Sequence, residues 1–258
     1  MRIVRFRGPE GIAYGTAEPD GIRVAQGSPL VEWEPTDTVL PFDAVELLSP
    51  VLPTKVVCVG RNYVDHAAEL GNEVPERPLM FLKPSTSVIG QGAAIVLPPD
   101  STNVQYEGEL AIVIRTLTRN VRAEDVAGHI LGYTCANDVT ARDLQRLDVQ
   151  FTRGKGFDTF CPLGPAIATE FDPLEGMRIA TTVNGEVRQD GSTADMVFGV
   201  AELIEFMSRV MTLLPGDVVL TGTPAGVGPM VAGDVVAVEI EGIGSLVNPV
   251  VSARDPRS

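Results

Sequence analysis

Tyr106-Glu107-Gly108-Glu109-Leu110-Ala111-Ile112-Val113-Ile114 decides how the rest of the chain is read. From Glu109 onward the residues are aliphatic and largely β-branched, which specifies a buried strand, and the glycine at its mouth disfavours a helix. Residues two apart on a strand share a face, so Glu107 and Glu109 present two carboxylates together. Like charges that close repel. Protonating one of them relieves the repulsion, and so does a cation between them, for which a hard divalent ion with oxygen ligands is the usual resident. A solvated edge strand carrying two acidic residues has the same pattern, so the remainder of the chain must decide.

The totals favour strands. Among 258 residues there are 26 Gly and 20 Pro, with abundant valine, which predicts many short strands joined by tight turns and few helices: an α+β chain that is mainly β. Lys plus Arg number 20 against 34 Asp plus Glu, a net charge of -14. That balance argues against a nucleic-acid or anionic-membrane surface as partner, since both require counter-charge. Cys58, Cys135 and Cys161 are odd in number, far apart and in apolar surroundings, so they form neither a disulfide framework nor a zinc motif. The start, Met1-Arg2-Ile3-Val4-Arg5-Phe6-Arg7, places charges where a signal peptide needs its apolar run, and no apolar stretch is long enough to span a bilayer. A cytoplasmic protein is expected.

Residues 1–53 read as a small β-rich N-terminal module, with strands at Ile3–Phe6, Ile12–Tyr14 and Gly21–Val24. The proline-rich segment from Pro35 to Pro53 is the expected joint to a catalytic domain over 54–258. That domain opens on the strand Lys55–Gly60 and continues into a short helix containing His66 and Glu69, ended by Gly71. Three apart on a helix, the imidazole and carboxylate meet, and such a pair holds a histidine as a base, although the spacing also fits a surface ion pair. His129 has no acidic neighbour and is read as structural.

Several further residues carry chemistry by position. Lys83 precedes a proline that forces extended geometry, and either binds an anion or merely closes a strand. Asp138 stands at the exit of the apolar strand 130–136, where it either serves a site or caps the helix predicted from the Thr140/Asp143 capping box. Lys155 lies between Gly154 and Gly156, which allow close backbone approach, and is the better candidate for a substrate cation. Ile179–Val183, Asn184-Gly185 and Val187 specify a hairpin, and Val200, Leu203, Ile204 and Met207 the core face of a helix. Thr221-Gly222-Thr223-Pro224-Ala225-Gly226-Val227-Gly228 fits neither a phosphate loop nor a dinucleotide fingerprint, but its hydroxyls and amides can line a pocket.

Six motifs in order, Gly60-Arg61-Asn62-Tyr63-x-x-His66-x-x-Glu69, Phe81-Leu82-Lys83-Pro84, Tyr106 to Leu110, Asn137-Asp138-Val139-Thr140-Ala141-Arg142-Asp143, Lys155-Gly156-Phe157-Asp158 and Thr221 to Gly228, resemble the fumarylacetoacetate hydrolase family in its shorter, acylpyruvase-like branch. The resemblance covers roughly residues 55 to 250. It implies a mixed β-sandwich roll, a homodimer and a divalent metal, Mg²⁺ or Mn²⁺, held by Glu107, Glu109 and Asp138. It further implies His66 and Glu69 as a catalytic dyad on a mobile lid, Lys155 as a catalytic cation, and Arg61, Tyr63, Lys83, Arg142, Gln145 and Thr223 near the substrate. The activity this suggests is carbon-carbon hydrolysis of 2-oxo or 2,4-dioxo acids of the acylpyruvate or fumarylpyruvate type. Oxaloacetate decarboxylation and 2-hydroxyhepta-2,4-diene-1,7-dioate isomerisation are the alternatives on the same site, and a non-catalytic protein binding a 2-oxo acid or metal is the alternative from another class.

Overall fold

The computed structural model describes residues 1–253. Every residue of the Gly108–Ile114 strand is buried: Leu110, Ile112 and Ile114 fall on one face, Ala111 and Val113 on the other. A strand with no solvent face needs neighbours on both edges and a layer on each side. It has them. It pairs antiparallel with Ile130–Asn137 and with Val218–Leu220. The main path of the resulting twelve-stranded sheet runs Trp33–Leu40, Gly21–Gly27, Gly11–Glu18, Arg2–Gly8, Cys161–Ala168, Ile130–Asn137, Gly108–Ile114, Val218–Leu220, Val56–Gly60, Leu79–Lys83.

The even-numbered face lies in one core with Ile179, Val238, Ile240 and Leu246 of a second, five-stranded sheet, and with Leu203, Ile204 and Met207 of the Val200–Val210 helix. Each such aliphatic side chain, fully buried, stabilises the fold by roughly 1.5–3 kcal/mol. The odd-numbered face packs with Val56, Cys58, Cys161, Val218 and Leu220. Pairing is mixed: Val218–Leu220 runs parallel to Val56–Gly60, whereas its contact with Gly108–Ile114 is antiparallel. The architecture is a mixed β-sandwich roll of mainly strands. All three cysteines are free and buried, and burial pushes the Cys135 and Cys161 thiols up to about 12.

The N-terminal hairpins form at Arg2–Gly8, Gly11–Glu18 and Gly21–Gly27, and Arg2–Gly8 also pairs with Cys161–Ala168, extending the central sheet. The segment read as a proline-rich joint contains two more strands, Trp33–Leu40 and Glu46–Leu48. Pro35 is tolerated because its strand ends the sheet path, where a missing N–H breaks no ladder on the open side. Thr54 and Lys55 are then fastened by the buried Asp217, which accepts from both amides, from the Thr54 hydroxyl and from the Lys55 ammonium.

The capping box expected at Thr140 does not form. Thr140 and Ala141 pair with Gln105 and Val104 as strand, so the helix starts at Arg142, with Ala141 as its N-cap. The Thr140 hydroxyl donates instead to the Asp138 carbonyl, and the Asp143 carboxylate accepts from Ser101 and Thr102. Backbone pairing outweighed a local cap.

Candidate active site

Glu107 and Glu109 converge, but not as neighbours on one strand. The chain leaves the three-stranded sheet at Val104–Tyr106 and enters the large sheet at Gly108, and Glu107 is the residue between them. Its amide donates to Asn137 Oδ1 (2.9 Å), and its carbonyl accepts from the Asp138 amide (2.8 Å). The crossing requires a glycine, because a Cβ at residue 108 would lie 2.1 Å from Thr181 Oγ1. Glu107, Glu109 and Asp138, all buried, thereby bring one oxygen each within 4.8 Å of one another.

Three buried cations face these carboxylates. Lys155 Nζ donates to Glu107 Oε2 (2.7 Å) and to Asp138 Oδ2 (2.6 Å), and Lys83 Nζ to Asp138 Oδ1 (2.6 Å) and the Val139 carbonyl (3.1 Å). Arg142 donates to Glu107 Oε1. Burial works against the Glu107 carboxylate, yet Lys155 and Arg142 overcome it and hold the carboxyl well below its usual range. Glu109 is the exception. Its recorded partner among the described residues is the Gly222 amide (2.7 Å), and burial, followed by the charges of Asp138 and Glu107, pushes its carboxyl well above 4.5.

This donor set fits a hard divalent cation. All three residues offer oxygen, the Lys155 ammonium already stands between two of them, and the third is a carboxyl whose ionisation the other two oppose. A soft metal would lack its preferred ligands here, since Cys58 and Cys161 are protonated, buried thiols.

A cavity of about 270 Å³ opens onto Glu107 and Glu109 and is also walled by Arg61, His66, Arg142, Gln145, Arg146, Lys155, Gly222 and Thr223. His66 sits on the Val64–Glu69 helix, which ends in a Schellman motif: Gly71, at φ +69°, and Asn72 donate to Ala68 and Ala67. Its Nδ1 lies 3.4 Å from Glu69 Oε2, and Glu69 accepts from the Gly226 amide. Burial first, with Arg142 and Lys155 adding to it, lowers the imidazole pKa against the pull of Glu107 and Glu69, so the ring is neutral at neutral pH.

The remaining predicted positions divide. Arg142 and Gln145 reach the wall together, with Gln145 Oε1 accepting from Arg142 Nη1 (2.6 Å), which leaves the Gln145 NH₂ for the cavity. The Thr223 hydroxyl donates to the Gly108 carbonyl (2.8 Å) and accepts from Gln189 (2.7 Å). Lys83, read as an anion-binding cation, is behind the wall: it is fully buried, and its ammonium is engaged by Asp138 and Val139. Tyr63 is likewise buried and off the wall, with a hydroxyl that has no partner among the described residues.

Sequence reasoning passed over four amides that hold these groups in place. Asn62 Nδ2 donates to the Phe198 and Thr221 carbonyls and its Oδ1 accepts from the Phe198 amide, tying the base of the His66 helix to the Gly222 loop. Gln189 joins the Gly108 amide to Thr223, Asn137 holds the Glu107 amide, and Gln105 accepts from Arg142 Nε. The available signals were Asn62 inside the Gly-Arg-Asn-Tyr motif and Asn137 at the head of the Asn-Asp-Val-Thr-Ala-Arg-Asp motif.

Comparison with known proteins places this geometry in a class. Residues 55–251 match the fumarylacetoacetate (FAA) hydrolase C-terminal family, and residues 1–50 match the Rv2993c-like N-terminal family. The chain belongs to the fumarylacetoacetate hydrolase family. It is 47% identical over 266 residues to Protein Rv2993c of Mycobacterium tuberculosis, covering 99% of this chain and 100% of that one. It is 48% identical over 226 residues to the human mitochondrial oxaloacetate tautomerase FAHD2A, covering 83% of this chain and 72% of that protein. The crystal structure of 5-carboxymethyl-2-hydroxymuconate delta-isomerase from Mycobacterium smegmatis superposes with a TM-score of 0.92 at 47% identity, covering 98% of this chain and 100% of that one.

Proposed function

We propose that this chain is a divalent-metal-dependent enzyme that moves a proton on a 2-oxo acid, interconverting keto and enol forms or shifting the double bond of the enol. The observation that carries the reading is His66: a buried, neutral imidazole, backed by Glu69, on the wall of the cavity that Glu107 and Glu109 also face. Relatives at 47–48% identity carry the names oxaloacetate tautomerase and hydroxymuconate isomerase, whose reactions are proton transfers.

Glu107, Glu109 and Asp138 would hold the metal, Mg²⁺ or Mn²⁺, which when bound supplies Lewis-acid polarisation of the 2-oxo acid. Glu69 accepts from Nδ1–H and so leaves Nε2 of His66 as the basic nitrogen. That nitrogen takes a proton from the carbon next to the keto group and returns it to the oxygen, for tautomerisation, or to a carbon further along, for isomerisation. No atom is gained or lost. Lys155 and Arg142, both buried, offset the negative charge that develops on the oxygen.

Carbon-carbon hydrolysis of a 2,4-dioxo acid is the second reading, favoured by the same His66–Glu69 contact and by a cavity with room for a water beside the substrate. In it His66 takes its proton from water, hydroxide adds to the distal carbonyl, the bond to the adjacent carbon breaks, and the electron pair left on that carbon takes up the proton. One experiment separates the two. With Mg²⁺ or Mn²⁺ present, deuterium exchange beside the keto group of oxaloacetate is followed by NMR, and pyruvate release from acylpyruvates is followed in parallel. Exchange that is lost in His66→Gln supports proton transfer, and pyruvate release supports hydrolysis. If neither exceeds the rate with metal alone, or if His66→Gln keeps the full rate, the reading is wrong.

A further inference from the structure

The proposed reaction leaves two cations of the cavity without a task. Arg61 and Arg146 both line it, and among the described residues neither makes an ion pair or a side-chain hydrogen bond. Their neighbours differ. Every nitrogen of the Arg142 guanidinium is engaged, by Gln105, Gln145 and Glu107, and the Lys155 ammonium is shared between Glu107 and Asp138.

Charge on the wall makes the pair informative. Four cations, Arg61, Arg142, Arg146 and Lys155, face two carboxyl groups, Glu107 and Glu109, which with both ionised leaves a formal surplus of two positive charges in a chain whose net charge is -14. The surplus equals the two free arginines. Position agrees with charge. Arg146 follows Arg142 by four residues on the Arg142–Leu147 helix, so the two share a helix face about 6 Å apart along its axis. Arg142 marks the Glu107 end of the cavity, and Arg146 therefore stands one turn further out. Arg61, on the same wall, is held with a backbone φ of +59°, a conformation that glycine adopts freely and an L side chain at a cost.

We infer that Arg146, assisted by Arg61, is the specificity determinant for a second anionic group on the substrate: a carboxylate carried beyond the 2-oxo acid unit, so that the preferred substrate is a dianion. Guanidinium groups suit this task because their planar forks match a carboxylate with two parallel hydrogen bonds. The inference rests on the 2-oxo acid reading of the site given above.

The test compares kcat/KM for metal-dependent proton exchange on oxaloacetate and on 2-oxobutyrate, in which a methyl group replaces the distal carboxylate. Each variant is first checked for folding by its thermal melt. The wild-type protein is expected to favour the dicarboxylate, Arg146→Gln to lower that preference at least tenfold through KM, and R61Q/R146Q to lower it further. Arg119→Gln removes the same charge from an exposed site away from the cavity and is expected to leave the preference where it was. If wild type turns over both acids without preferring the dicarboxylate, or if Arg146→Gln and Arg119→Gln shift the preference alike, the arginine assignment is overturned while the function stands. If wild type exchanges neither acid, and oxalate gives no heat in calorimetry with the magnesium-loaded protein, the site reading falls and the assignment falls with it.

Discussion

Replacing Lys83 with methionine probes the charge balance of the site without touching the cavity wall. Lys83 and Asp138 are both essentially inaccessible to solvent, so screening does not discount their interaction. Removing one partner of such a buried pair leaves an uncompensated charge and costs about 3–5 kcal/mol. The side chain of methionine fills most of the space of the lysine stem, which keeps the packing loss small. For a chain of this length the expected fall in melting temperature is about 6–20 °C, at about 2–4 °C per kcal/mol. The Lys155 ammonium still contacts Asp138 Oδ2, which places the result toward the lower end. A divalent ion on Asp138 replaces the missing charge, so saturating Mg²⁺ or Mn²⁺ should recover part of the loss. Thermal and urea melts of wild type, Lys83→Met and K83M/D138N, each with chelator and with metal, measure these quantities. If the stranded Asp138 charge is the cause, the double variant is less damaged than the sum of the two single ones. A loss in Lys83→Met below about 1 kcal/mol in chelator, or strictly additive effects, refutes the argument.

Protonation supplies two further expectations and the amide network a third. The folded His66 titrates below its ordinary value of 6.5, so activity should keep its base until the pH falls below 6.5, and an acid limb of kcat/KM centred above that value would contradict the assignment. The unfolded imidazole takes its proton first as pH falls through 6.5, so this group's contribution to stability is present above that pH and shrinks below it, which melts at stepped pH can follow. Glu109, its carboxyl raised by burial and by Asp138 and Glu107, should release a proton when metal binds at mildly acidic pH. Calorimetry in buffers of different ionisation enthalpy should detect that proton in wild type and not in Glu109→Gln, and equal release from both would exclude Glu109 as its source. Asn62→Ala strands the Phe198 amide and two carbonyls in a fully buried site, at about 2–4 kcal/mol. It should also lower kcat more than a control of equal stability loss, measured by steady-state kinetics.

What the sequence made legible was whatever local pattern specifies. The unbroken aliphatic run from Leu110 to Ile114, the Asn184-Gly185 hairpin and the apolar face from Val200 to Met207 all appear in the fold, because such patterns follow directly from backbone geometry. Glu107 shows the limit. Two-residue spacing suggested one strand face, whereas the carboxylate is placed by a crossing between two sheets that depends on Gly108, Thr181 and Asn137, residues up to 73 positions apart in sequence. The capping box at Thr140 failed for the same reason, since pairing with Val104 and Gln105 is non-local. The Lys83-Pro84 step, read as an anion site or a strand end, gave no hint that the ammonium would be buried against Asp138.

Lys155 shows how the local and the non-local readings meet. Its flanking glycines marked it as a cation brought close to a ligand, and in the structure Nζ bridges Glu107 and Asp138, two of the three residues that could hold a divalent ion. Once Glu109 has given up its proton, three buried carboxylates and three buried cations balance formally. A divalent ion arriving beside them adds two positive charges to a neutral cluster in a low-dielectric setting, a surplus that strongly favours an anion at the same place. The carboxylate end of a 2-oxo acid is such an anion. Metal and substrate should therefore bind with positive coupling, each tightening the other by the same factor. Oxalate titrated with and without Mg²⁺, and Mg²⁺ titrated with and without oxalate, must return equal ratios above one. A ratio of one would mean that the carboxylates hold no ion in the substrate's reach.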